Sequence, residues 1–77
     1  MELEIISPEK NLFKGKVKSV YVPGTGGSLG ILDKHAPMVS SLKAGEVRID
    51  GDGGKQSFTI KGGVVEVLNN KVIILAE

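Results

Sequence analysis

The sequence predicts an all-β domain, a β-sandwich or flattened barrel of about eight to ten short strands. Nine Val and seven Ile dominate the apolar stock, and both are stiff at χ1 and favour a pleated strand over a helix. Eleven Gly and three Pro divide the chain at short intervals, and so supply frequent reversals. No window carries the 3.6-residue apolar period of an amphipathic helix.

The elements follow in order. Leu3 and Ile5 alternate with Glu2 and Glu4 as a half-buried first strand that ends at Ser7-Pro8. Phe13-Lys14-Gly15 reads as a short link. Val17, Ser19 and Tyr21 then alternate with Lys18, Val20 and Val22 as far as Pro23. Apolar residues on both faces of that run point to a bulge or to a strand covered on both sides. Gly24-Thr25-Gly26-Gly27-Ser28 reads as a mobile turn, Leu29 to Leu32 as a short strand and Asp33-Lys34 as another turn. Met38–Leu42 and Glu46–Asp50 look like neighbouring strands about Gly45. Gly51-Asp52-Gly53-Gly54 is a hairpin loop leading into Gln56–Lys61. Gly62-Gly63 allows a bend or a close backbone approach. Val64–Leu68 and Lys71–Ala76 flank Asn69-Asn70, whose tolerance of positive φ suits a two-residue type I′ turn.

Length and charge narrow the function. Seventy-seven residues make one domain, 1–77. A formal charge of +1 with only three aromatic residues (two Phe and one Tyr) argues against a nucleic-acid binder. The longest apolar run, Val72 to Ala76, is too short to span a bilayer. The chain is read as soluble, intracellular and monomeric when isolated, without insertion into a membrane. It has no cysteine, so neither a disulfide nor a thiolate metal site is available.

Catalytic and ligand motifs fail one by one. Gly24-x-Gly26 meets Leu29 where a dinucleotide fingerprint needs glycine, and no helix follows. Neither Gly15-Lys16 nor Gly54-Lys55 has the upstream glycine of a P-loop. His35 is the single histidine, too few for a histidine metal site. Ser40 and Ser41 lie near it in sequence, but no acid or oxyanion loop is placed to complete a triad. Asp50 and Asp52 lack the calcium-loop spacing, which leaves a solvated hairpin tip. Lys14, Lys16 and Lys18 either protect a sheet edge or dock an acidic partner. The expectation is no catalytic residue, no cofactor and no metal. What remains is a surface offered to other proteins.

Several segments, in order, resemble the epsilon subunit of rotary ATP synthases. They are Ser7-Pro8-Glu9, Phe13-x-Gly15-x-Val17, Val22-Pro23-Gly24, Leu29-Gly30-Ile31-Leu32 and His35-Ala36-Pro37. Leu42-x-x-Gly45-x-Val47-Arg48-Ile49, Gly62-Gly63 and Val72-Ile73-Ile74-Leu75-Ala76 complete the set, which covers essentially the whole chain.

The resemblance implies a non-catalytic rotor subunit at the foot of the central stalk. One side would grip the gamma subunit and one end would rest on the c-ring loops, coupling proton-driven rotation to ATP synthesis. By position it implies gamma contacts at Ser7, His35, Met38 and Ser40, and ring contacts at Gly26, Gly27, Ser28 and Leu29. The ring-facing loop of the family often carries acidic residues, and here Gly26 and Ser28 replace them. The ring contact is therefore expected to use backbone and apolar groups, or Asp33 and Lys34 nearby. The implied location is peripheral, on the cytoplasmic face of the bacterial plasma membrane. Longer members continue into two helices where this chain ends at Glu77, so the expected form is a short subunit or a longer one cut there. The alternative readings are a small all-β adaptor of unknown partner or a lipoyl- or biotinyl-type carrier. Ala36-Pro37-Met38-Val39, rimmed by Lys34 and Lys43, is the expected exposed apolar contact.

Overall fold

The computed structural model describes residues 1–77 and contains strands and turns but no helix. The strands are β1 (Glu2–Ile6), β2 (Asn11–Gly24), β3 (Gly27–Leu32), β4 (Met38–Leu42), β5 (Gly45–Gly51), β6 (Gly54–Ile60), β7 (Gly63–Leu68) and β8 (Lys71–Ala76). They fold into two layers that share β2. Its first half, Asn11 to Lys16, pairs with β1, and the order continues β1-β8-β7-β4. Its second half lies between β3 and β5, and β6 follows β5. One covalent strand thus runs through both layers.

Continuity of β2 corrects the reading of Phe13-Lys14-Gly15 as a link. These residues pair with Ile5, Glu4 and Leu3. Gly15 does not break the strand; it pairs with Leu3, and a Cβ there would meet the Phe13 ring at 3.4 Å, an ordinary contact. Phe13 in turn meets Phe58 edge-on across the layers, with centroids 6.1 Å apart. Pro23 does not end the strand either. It pairs with Ser28, and its carbonyl accepts from the Lys43 amide at 2.8 Å.

The two-faced apolar pattern of β2 comes from a register shift against β5 between Val17 and Ser19. Inward residues fall on Val17 before the shift and on Val20 and Val22 after it, leaving Lys18 and Tyr21 exposed. One extra residue inverts the phase of everything downstream.

β4 and β5 are not neighbours. β4 pairs with β7 along its length and touches β2 only where Leu42 meets Gly24. β5 pairs instead with β2 and β6. The chain changes layer at Lys43-Ala44, and Gly45 then passes so close to Pro23 that a Cβ would stand 2.9 Å from the proline Cβ.

Inward side chains from both layers form a core of 15 residues, among them Leu3, Ile5, Val20, Ile31, Val47, Val65, Val72 and Ile74, each at 1% exposure or less. Full burial of such side chains contributes about 1.5–3 kcal/mol each. Two hairpin turns behave as the sequence predicts. Asn69 and Asn70 take φ of 51° and 59° between β7 and β8, and Gly51 pairs with Gly54 across Asp52-Gly53. At Gly63 (φ 141°) an added Cβ would collide with the Leu75 carbonyl oxygen, so the close backbone approach is real.

Candidate functional site

β1, β8, β7 and β4 lie in matched register, and their side chains therefore form straight rows. One outward row runs Glu4–Ile73–Glu66–Val39 and the next Ile6–Leu75–Val64–Ser41. Between them, Ile5–Ile74–Val65–Ser40 points into the core side. Six large apolar residues of the chain are exposed, and Val39, Val64, Leu68 and Leu75 among them stand on this one outer face. Val39 is 69% exposed and Leu75 53%. Apolar side chains gathered on one face, rather than scattered, mark an interaction surface.

The rim of the face is charged. Lys14 and Lys16 stand opposite Glu4 and Glu2, and Glu2 stands opposite Lys71. None of these closes to an ion pair; the single salt bridge joins the Met1 ammonium to Asp33 at 3.0 Å. Lys14 and Lys16 occupy the part of β2 that has a partner on one side only, as edge-protecting lysines do.

The residues singled out for gamma contact lie at two corners of this layer. His35 is half-buried at one, just before β4, with Nδ1 2.7 Å from the Ala36 carbonyl oxygen. Met38 and Ser40 follow on the inward side of β4; Met38 packs partly on the core and Ser40 is half-buried. Ser7 lies at the opposite corner beyond Ile6, closing its own turn through Oγ, which donates to the Lys10 carbonyl at 2.9 Å. β1 and β4 are separated by β8 and β7, so roughly 14 Å lies between the two corners across the strands. The expected stretch Ala36 to Val39 is exposed except for half-buried Met38. Sequence reasoning missed Val64, Leu68 and Leu75. Their signal was present as adjacent apolar pairs, Val64-Val65 and Ile74-Leu75, which a one-sided strand does not need.

The ring-facing candidates sit elsewhere. Gly24 pairs with Gly27, so Thr25-Gly26 is a two-residue turn, while Gly27, Ser28 and Leu29 already belong to β3. The turn is pinned rather than loose. The Thr25 amide donates to the Ser41 carbonyl at 3.1 Å, and the Thr25 and Ser41 hydroxyls are 2.9 Å apart. Leu29 is half-buried against the core, while Gly26 and Ser28 are exposed. Asp33 and Lys34 do not assist here, because they lie at the far end of β3. Lys34 instead donates its amide to Asn70 Oδ1 at 2.7 Å. Asp33 is held below the ordinary carboxylate range by the Asn70 side chain and by the Met1 ammonium.

On the other outer face, Tyr21 and Arg48 separate two shallow hollows. The larger, about 550 Å³, is lined by polar groups including Ser19, Asp50, Lys55 and Ser57. The smaller, about 210 Å³, opens beside the hairpin between Ser28, Pro23 and Glu46.

The small two-layer β domain thus carries an apolar outer face and a glycine hairpin in separate places. The family described as ATP synthase, Delta/Epsilon chain, beta-sandwich domain matches residues 1–77, and the chain belongs to it. Family members are non-catalytic chains of a rotary, ion-transporting, membrane-bound ATP synthase. The ATP synthase epsilon chain of Chlorobium limicola is 44% identical over 77 residues, covering 99% of this chain and 88% of the relative. That of Desulforamulus reducens is 40% identical over 75 residues, covering 97% of this chain and 57% of the relative. This chain thus spans most of one relative and little more than half of the other. Among solved structures, the Euglena gracilis mitochondrial ATP synthase (OSCP/F1/c-ring) contains a chain that superposes with a TM-score of 0.88. Its identity is 25%, and the match covers 96% of this chain and 48% of that one. A chain of the Tetrahymena thermophila mitochondrial ATP synthase central stalk and c-ring shares the fold, with a TM-score of 0.81 at 24% identity, covering 99% of this chain and 62% of that one. The carrier alternative gives way to this membership.

Proposed function

We propose that this chain joins the gamma subunit of a bacterial ATP synthase to its c-ring and couples proton-driven rotation to ATP synthesis, working at the cytoplasmic face of the membrane. Gamma docks on the outer face of β4, β7 and β8 and wraps the edge of β4 towards His35, Met38 and Ser40. Ser7 meets it at the far corner of the same layer. The β2–β3 hairpin, with Gly26, Gly27, Ser28 and Leu29, rests on the ring loops.

The observation that carries the gamma contact is the concentration of Val39, Val64, Leu68 and Leu75 on one face of an otherwise well-packed domain. A stable interface needs about 800 Å² per partner, so the contact must extend beyond this face round the β4 edge. The test is calorimetry of the purified chain with the gamma subunit of its host. A Val39→Asp/Leu75→Asp variant, folded by circular dichroism, is expected to lose about a hundredfold in affinity or more. A His35→Asp/Ser40→Arg variant is expected to weaken binding at the β4 edge. Undiminished affinity of the first variant would place gamma elsewhere.

A further inference from the structure

We infer that gamma meets the β4 edge with an extended segment that pairs with β4 as a further strand, hydrogen-bonded to the backbone of Val39 and Ser41. The inference rests on the gamma contact proposed above and names its form.

Open edge remains along β3, along β6, along the first half of β2 and along β4 short of Leu42. An open edge invites pairing with another chain unless charge, irregularity or brevity blunts it. β2 carries Lys14 and Lys16 there, and β6 carries Lys55 and runs out at Lys61. β3 holds Gly27 and Gly30 and ends at Asp33-Lys34. β4 alone, Met-Val-Ser-Ser-Leu, has no charged residue, glycine or proline. It also carries Val39, the most exposed of the large apolar side chains.

Backbone direction decides what this edge offers. The Ser41 carbonyl turns away from β7 and accepts the Thr25 amide at 3.1 Å. In an antiparallel ladder the amide and carbonyl of one residue point to the same side, and successive residues alternate. Ser40 and Leu42 therefore bond to β7, opposite Val65 and Gly63, while Val39 and Ser41 point to the open side. The β2–β3 turn takes the Ser41 carbonyl, which leaves the Ser41 amide and both groups of Val39 for a partner. Neutral donors and an acceptor in a line about 7 Å long suit an extended peptide. Pro37, without an amide, bounds the edge at one end, and the turn at Thr25 bounds it at the other. The partner segment is thus about four residues long, uncharged beside β4, with an apolar or β-branched residue next to Val39. Val39 also belongs to the apolar outer face, so a strand added here continues that face round the edge to Met38 and Ser40.

Hydrogen exchange of the intact chain, read amide by amide by NMR with and without the gamma subunit of its host, tests the pairing. In the free chain Val39 and Ser41 are expected to exchange fast and Ser40 and Leu42 slowly. Gamma is expected to slow Val39 and Ser41 about a hundredfold or more. Val39→Pro removes an outward amide and spares the β7 ladder, so it is expected to fold. It is expected to bind gamma about tenfold more weakly than Val39→Ala, which keeps the amide. Unslowed exchange at Val39 and Ser41 in a complex that still needs the Val39 and Leu75 side chains would overturn the strand pairing and leave the face contact standing. The same slowing without gamma, growing with chain concentration, would overturn it in favour of a second copy. Absence of gamma binding by the parent itself would overturn the gamma contact and this inference together.

Discussion

The ring of Tyr21 lies over Gly30 on the neighbouring strand, so that a Cβ on Gly30 would stand 3.0 Å from Tyr21 Cε1. Glycine inside a strand offers no side chain for packing, and an aromatic neighbour covering it recovers apolar contact and shields the ladder. Tyr21→Ser is expected to destabilise the domain by about 1 kcal/mol, seen as a lower urea midpoint at unchanged m. An unchanged midpoint would mean that the ring covers nothing that matters to folding.

Three glycines with different surroundings should separate under substitution to alanine. At Gly24 the new Cβ would lie 2.6 Å from the Gly27 carbonyl oxygen, and at Gly63 it would strike the Leu75 carbonyl oxygen. Gly26 has nothing within 4 Å of an added Cβ. Gly24→Ala and Gly63→Ala are each expected to cost about 3 kcal/mol or to prevent folding, and Gly26→Ala to stay within about 0.5 kcal/mol. Thermal melts of the three variants side by side check the order.

The type I′ turn makes a contrast within two residues. Both asparagines sit at positive φ, where glycine costs nothing sterically, but only Asn70 accepts the Lys34 amide. Asn69→Gly is expected to be neutral, and Asn70→Gly to lose about 1 kcal/mol through the broken tie between the turns. Equal effects would dismiss the tie as a stabilising contact.

Asp33 gives the acid response a direction. Its pKa is depressed in the folded chain, first by the Asn70 side chain and then by the Met1 ammonium. A depressed carboxylate stabilises above its unfolded pKa of about 3.9, and that contribution disappears as pH falls through the lower folded value. Asp33→Asn is therefore expected to be less stable than the parent at neutral pH and to converge on it in strong acid. Acid titrations followed by circular dichroism at fixed urea reveal whether the two curves meet.

Much of the fold can be read along the chain because turn chemistry is local. Asn69-Asn70, Gly51 to Gly54 and Gly62-Gly63 all behave as their residue types require. Pairing is not local, which explains the errors. Nothing near Gly45 says that β4 and β5 part into different layers; that follows from the pairing of β4 with β7 and of β5 with β2, both distant in sequence. The link assigned to Phe13-Lys14-Gly15 failed because glycine was taken as a break, when Gly15 pairs with Leu3 inside the ladder. For the docking surface, residue identity pointed to the β4 edge. The apolar face became legible only once register aligned Val39 with Glu66 and Ser41 with Val64.

The shared strand has a mechanical consequence. Two sheets held only by apolar side chains can creep past each other under a sideways load, because dispersion contacts have no direction. Here Asn11 to Lys16 belongs to one layer and Val17 to Gly24 to the other, joined by peptide bonds. A load on the β4–β7–β8 face travels along β1 into β2 and reaches the Thr25-Gly26 turn through a continuous backbone. Slippage would require the 14-residue strand to lose the β1 ladder on its first half and the β3 and β5 ladders on its second. In the role proposed above, a twisting force would follow that covalent path from one layer to the other.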